Sequence, residues 1–171
     1  IQTFIQQQNV DSIRQVYSWI LGRLNTASWT EVQLLAPYAF IATLVMLLSR
    51  RTLDVMRLGD TEASSVGLRP QVVRFLVIAA ASLGTAASVS VSGLIAFVGI
   101  IVPHAVRLLA GTSNRIVLPL SVLYGAAFLA FVDLLGRSLV SPAEIPIGVI
   151  TAFCGAPFFV VVLRTSRKAL A

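Results

Sequence analysis

Long apolar runs separated by short clusters of charge set the pattern of this chain. Val32 to Leu48, Ile116 to Val132 and Ile145 to Leu163 contain no Lys, Arg, Asp or Glu, and each is near or above the roughly 18 residues that mark a membrane-crossing helix. Phe75 to Val106 is free of those residues over more length than one crossing needs, and Gly93, Gly99 and Pro103 interrupt its second half. It predicts two spans meeting near Gly93. Five crossings follow, as helices, because a helix closes its backbone hydrogen bonds within the segment and away from lipid. The expected fold class is all-α, a polytopic transmembrane helical bundle.

The polar positions divide the rest. Val10, Ile13, Val16, Tyr17, Ile20, Leu21 and Leu24 fall at helical spacing, which predicts an amphipathic helix at the outer surface with Trp19 and Trp29 at headgroup level. A packing helix within the bundle is the other reading of the same pattern. Residues 1–31 are therefore expected to form this helix and a connector, and 32–171 the transmembrane region. Within the latter, SRRTLDVMRLGDTEASSVGLRPQ (49–71) is the longest hydrophilic segment. Gly59 and Gly67 divide it, Asp60 suits the start of a short helix and Gly67 the left-handed residue that ends one. Two short helices in a hairpin are expected. Their apolar members, Leu53, Val55, Met56, Leu58, Ala63 and Val66, leave two readings open: a docking surface, or a solvated loop resting on the membrane. The helix after the loop is rich in small residues, with Ser82, Ala86 and Ser90 on one line and Gly84, Ser88 and Ser92 on another. Two faces are thus able to approach neighbours closely, which places this helix inside the bundle.

Composition agrees: 57% of residues are hydrophobic and 12% charged, where a soluble domain carries about 25% charged. The net charge of +6 does not point to nucleic acid, because the basic residues flank apolar spans. With five alternating spans, Arg50, Arg51, Arg57, Arg69, Arg74, Arg107, Arg115, Arg164, Arg167 and Lys168 fall on one side and Arg14, Arg23 and Arg137 on the other. The positive-inside rule makes the crowded side, and the C-terminus, cytoplasmic. The single cysteine, Cys154, has no partner for an internal disulfide and reads as a small packing residue. The chain begins at Ile1 without a signal-peptide pattern, and is expected to be part of a longer protein.

His104, Asp133 and Glu144 are the ionisable residues in or near the apolar layer, where burying charge is costly enough to suggest function. His104 follows Pro103 near the cytoplasmic end of its span, and a neutral imidazole bonded to a neighbouring helix is preferred there. Asp133 stands four residues before Arg137, the spacing of a helical ion pair. Glu144 lies in SPAEIPIGV, where Pro142 and Pro146 prevent a regular helix and Gly148 permits close backbone approach. A broken segment entering the membrane is expected, its carboxylate anchoring the start of the last helix. No metal-ligand cluster, nucleophile triad or Walker-type loop is present in the sequence, so neither enzymatic activity nor a cofactor is expected.

Two stretches carry a resemblance. SGLIAFVGIIVPHAVRLLAGTSNRIVLPLS (92–121) and AFVDLLGRSLVSPAEIPIGVITAFCGAPFFVVVLR (130–164) closely resemble the permeases of ABC importers for iron-siderophores, haem and cobalamin, and the likeness extends over essentially the whole chain. It implies about ten transmembrane helices, of which this chain supplies the last five, in a bacterial inner-membrane permease. The implied partners are a second permease copy, two ATPase subunits on the cytoplasmic side and a substrate-binding protein outside. LGDTEASSVG matches the family's ATPase-coupling loop, which implies coupling roles for Gly59, Glu62, Ala63 and Gly67. Arg137 matches an arginine that docks the binding protein. Pro103, His104, Asp133, Glu144, Pro146 and Gly148 are expected to serve structure or the pathway. An iron-siderophore is the expected cargo, with haem or cobalamin as alternatives. The competing reading is a proton-coupled secondary transporter or channel, in which His104 and Asp133 relay protons.

Overall fold

The computed structural model describes residues 10–24, 27–139 and 145–168. Among the described residues seven helices follow one another: α1 (Val10–Ile20), α2 (Trp29–Met56), α3 (Asp60–Ser65), α4 (Pro70–Ser92), α5 (Val98–Ala110), α6 (Asn114–Ser138) and α7 (Ile147–Lys168). No strand occurs among the described residues. The fold is all-α, and α2, α4 and α6 are long and apolar enough to cross a membrane, with shorter apolar helices at Val98–Ala110 and Ile147–Val160.

The apolar stretch from Phe75 to Val106 becomes two helices that part near Gly93, as expected. Residues 93–97 form a break, and α5 is only 13 residues long, short of the roughly 20 that span a bilayer. The hydrophilic segment also differs from expectation. Its first predicted short helix is absent as a separate element, because α2 continues without interruption through Ser49 to Met56. Nothing in SRRTLDVM breaks a helix, so the span extends past its apolar end and a single short helix, α3, remains.

The chain divides into two compact units. One comprises Ser28–Val91 and Gly99–Phe128. Here Ser28 caps α2: its hydroxyl accepts from the Glu31 N–H at 3.2 Å, and its own N–H donates to the Glu31 carboxylate at 2.8 Å. This capping box satisfies two groups that helix starts otherwise leave unpaired. α4 meets α2 where Gly84 faces Ala42, so closely that a Cβ on Gly84 would stand 2.9 Å from that methyl group. The line through Ser82, Ala86 and Ser90 is exposed instead, so among the described residues the close approach to α2 is made from the Gly84 side. Val102, Val106 and Val117 are buried in the same unit.

The other unit comprises residues 1–27, Ser92–Val98 and 129–171, and it is built from backbone crossings. The Trp19 carbonyl at the end of α1 accepts from Leu94, the Ser92 carbonyl from Arg23, and the Leu21 carbonyl from Gly148. The amphipathic helix is therefore a packing element at its C-terminal end, while Tyr17 and Ile20 remain exposed. Gly148 is required by the approach itself, since a Cβ there would fall on the Leu21 carbonyl oxygen. Thr151, one turn on, is fully buried and donates to the Gly148 carbonyl at 3.1 Å. Cys154 is exposed on α7 rather than packed.

Across both units the large apolar side chains point outward: Phe40 is 67% exposed, Leu109 82% and Phe153 80%. Such surfaces are untenable in water and ordinary against lipid or other apolar helices.

The crowding at Gly148 gives a direct test. Gly148→Ala is expected to destabilise the full-length protein by about 2 kcal/mol or more, read as a lower denaturation temperature in detergent. Gly99→Ala, with nothing within 4 Å of the added methyl, should change little. Equal effects would contradict the backbone crossing.

Candidate functional site

The hydrophilic loop folds into a small rigid knuckle. After Met56 the chain bends at Gly59 (φ +126°), and the Glu62 carboxylate folds back over the space that a side chain at this position would take. Asp60 opens α3 as its first helical residue, with Gly59 as the cap and no side-chain cap bond. Ala63 is completely buried, and its N–H donates to the Gly59 carbonyl at 3.0 Å. The far end closes with two bonds, Gly67 N–H to Ser64 O at 3.0 Å and Leu68 N–H to Ala63 O at 3.1 Å. Together these are the paired bonds of a Schellman motif. Its left-handed residue is Gly67, at φ +84°, a conformation glycine adopts without the clash a Cβ would bring. Pro70 then starts α4, where its missing N–H costs nothing.

Asp60 accepts from Arg74 at 2.7 Å, tying α3 to α4, but both side chains are half exposed. Leu58 and Val66 flank α3 and are 72% and 66% exposed. Apolar side chains held outward beside Glu62 and Thr61, on a knuckle pinned by buried Ala63, form a surface suited to a protein partner.

A second cluster in the same unit was not foreseen from the sequence. Asp54, one turn before the end of α2, accepts from the Ser113 hydroxyl and the Asn114 N–H, both at 2.7 Å, and faces Arg115 Nε at 3.9 Å. The Arg57 guanidinium donates to the Thr112 carbonyl. Asp54 of α2 and Arg57, the residue that caps it, thus hold residues 112–115, which lead into α6. No local pattern could have revealed this, since the partners lie 59 and 60 residues away.

In the other unit, Arg137 donates to Asp133 at 2.7 Å within α6. Ser18, Arg23, Asp133, Arg137 and Pro146 line a pocket of about 170 Å³. Arg23 was not singled out in the sequence, yet it donates to Ser18 Oγ at 3.3 Å while its buried Nε has no partner among the described residues. Gly148 sits close by on Leu21. Pro103 and His104 lie inside α5, half-buried, and Glu144 lies outside the described residues. Among the described residues no three His, Cys, Asp or Glu side chains converge as metal ligands would.

A helical bundle with outward apolar faces, long spanning helices and a structured polar knuckle at the end of one of them is a polytopic membrane protein. Its sequence assigns it further. The chain belongs to the FecCD transport family, whose sequence model matches residues 1–165. It is 40% identical to the uncharacterized ABC transporter permease protein YvrB of Bacillus subtilis, over 92% of this chain and 45% of that protein. It is 38% identical to the cobalamin import system permease protein BtuC of Halobacterium salinarum, over 96% of this chain and 44% of the relative. With the hemin transport system permease protein HmuU of Yersinia pestis it shares 36% identity, over 91% and 47%. A metal-chelate type ABC transporter solved in an inward-facing conformation superimposes with a TM-score of 0.84 at 32% identity, over 91% of this chain and 50% of that one. The chain therefore spans somewhat less than half the length of these curated relatives.

Two carboxylates of the site differ enough in surroundings to be told apart by mutation. Asp54→Ala, which removes two short charge-assisted bonds at a helix start, is expected to cost about 1–2 kcal/mol. Asp60→Ala, which breaks an exposed pair, should cost at most about 1 kcal/mol. Denaturation of the two variants in detergent checks the order.

Proposed function

We propose that this chain is the later half of the permease subunit of a binding-protein-dependent ABC importer in a bacterial inner membrane. The family membership carries this reading. Relatives named for cobalamin, Fe(3+)-citrate and hemin import support a cargo among iron chelates, haem and cobalamin, with an iron-siderophore the first candidate. Hydrolysis of ATP belongs to partner subunits seated on the cytoplasmic side, and the permease itself is not an enzyme. Two permease copies, alike or different, enclose the path.

The knuckle is the natural seat for the ATPase. Gly59 and Gly67 bend the chain, buried Ala63 fixes α3 from beneath, and Glu62, folded over Gly59, is exposed, as are Leu58 and Val66. Closure of the ATPase pair on ATP pushes this rigid element, and the helices behind it switch between outward and inward access. Arg137 serves the other side, where it meets a carboxylate of the binding protein. A rim charge of this kind steers docking more than it adds affinity. The knuckle's side faces the cytoplasm by the charge bias of the loops, and the C-terminus lies on that side too. The engagement of Asp133 by Arg137 favours the importer over a proton relay through Asp133.

The test uses the full-length permease in nanodiscs. The cell's ABC-type ATPase should co-purify with the wild type and be lost from a Glu62→Lys, Gly59→Pro variant. Arg137→Glu should slow association of the binding protein about tenfold or more at low salt, with the difference shrinking as salt is raised. Absence of any ATPase from the wild type, under conditions that preserve a control importer, would refute the assignment.

A further inference from the structure

The best-defined polar contact in the described residues has no role in docking as set out above. Asp54, in the last turn of α2, and Arg57, its C-terminal cap, are three residues apart and together grip residues 112–115. The grip has two parts. Asp54 supplies an acceptor to an N–H at the start of α6, a group the helix itself leaves unsatisfied, and places a negative charge where the helix dipole favours one. Arg57 takes the Thr112 carbonyl in the turn just before. The Asp54 side chain is 20% exposed, so these bonds are only partly open to competition from water.

We propose that Asp54 is a positioning residue for transport, which makes the knuckle and the start of α6 move as one body. The inference rests on the importer reading of the knuckle. Three observations bring it there. α2 is helical without a break from Trp29 to Met56, so Asp54 cannot move independently of the residues that lead into Gly59. Only Arg57 and Leu58 separate the end of α2 from that bend. And α6 is one helix of 25 residues, so a displacement of its first turn is carried into the residues that follow it. A push on α3 reaches α6 through the Asp54 carboxylate, because the hydrogen bonds to Ser113 and Asn114 are short and directional where apolar contacts would slide.

The test uses the full-length permease assembled with its ATPase and binding protein in proteoliposomes. Asp54→Asn keeps the side chain's size and removes its charge and one acceptor oxygen. The expected result is an assembly that retains its ATPase and still hydrolyses ATP, while uptake per ATP falls about tenfold, the size of an ordinary coupling energy. Uptake is read with labelled ferric citrate, haemin and cobalamin in parallel. A second variant separates transmission from folding. In a Cys154→Ser background, Asp54→Cys with Ser113→Cys should be uncoupled when reduced and regain uptake when oxidised, since the disulfide replaces the hydrogen bonds as a link. Unchanged uptake per ATP in Asp54→Asn overturns the proposal and leaves the importer reading intact. Loss of ATPase and uptake together, with no recovery in the oxidised pair, marks a folding role and also overturns it. A wild-type assembly that retains no ATPase refutes the importer reading and this proposal with it.

Discussion

Every backbone N–H and C=O that leaves a helix inside a bilayer must find a partner in the protein, because the hydrocarbon offers none. That demand shapes the unit in which α1, the 92–98 break and the start of α7 come together. Each of these places ends or interrupts a helix, and each would leave carbonyls or amides unpaired. The chain resolves this by letting one break satisfy another. The Trp19 carbonyl takes Leu94, the Ser92 carbonyl takes Arg23, the Leu21 carbonyl takes Gly148 and the Gly136 carbonyl takes Ile145. Such bonds require backbones in near contact, which explains the glycines at these crossings without any appeal to flexibility. Phe97, at φ +67°, is the non-glycine residue drawn into a left-handed conformation there, and it lies against Gly155.

The other unit meets the same demand with side chains. Ser28 and Glu31 close the start of α2 and a carboxylate from α2 closes the start of α6, while α3 ends on the backbone bonds of its Schellman motif. Side-chain caps are affordable where water or headgroups can solvate a charge that lets go, so their concentration at Asp54 to Arg74 and at 112–115 agrees with a polar end. The prolines inside α2, α5, α6 and α7 belong to the same logic. Each removes one donor, and neighbouring groups in a membrane bundle can meet the carbonyl left behind.

The spans were legible because charge is excluded from them: the run from Val32 to Leu48 and the run from Ile116 to Val132 announce α2 and α6 without any periodicity. Gly67 announced the end of α3, since glycine favours the left-handed position for local steric reasons. The reading failed where local sequence is permissive. SRRTLDVM has no breaker, and the helix simply continues; the break near Gly93 was foreseen, but its extension to residue 97 was not, because Trp19 and Gly148 lie against it, a tertiary cause. The Ser28–Glu31 capping box was visible as a spacing and was overlooked. Asp54 and Arg23 were invisible in principle, because their surroundings are assembled from segments far apart along the chain. The placement of Glu144 lies outside the described residues.

In the importer reading, the state of Arg137 bears on how docking can be reversible. Its guanidinium is 48% exposed and Asp133 only 21%, so the pair has a wet side and a dry side. A half-exposed pair of this spacing is worth at most about 1 kcal/mol, little enough for Arg137 to exchange Asp133 for an incoming carboxylate, or to share itself between the two. Asp133, the more buried partner, then serves to hold the arginine upright while the binding protein is away. Such an arrangement favours rapid capture and ready release over tight binding. That balance suits a protein that must deliver its cargo and leave within each transport cycle.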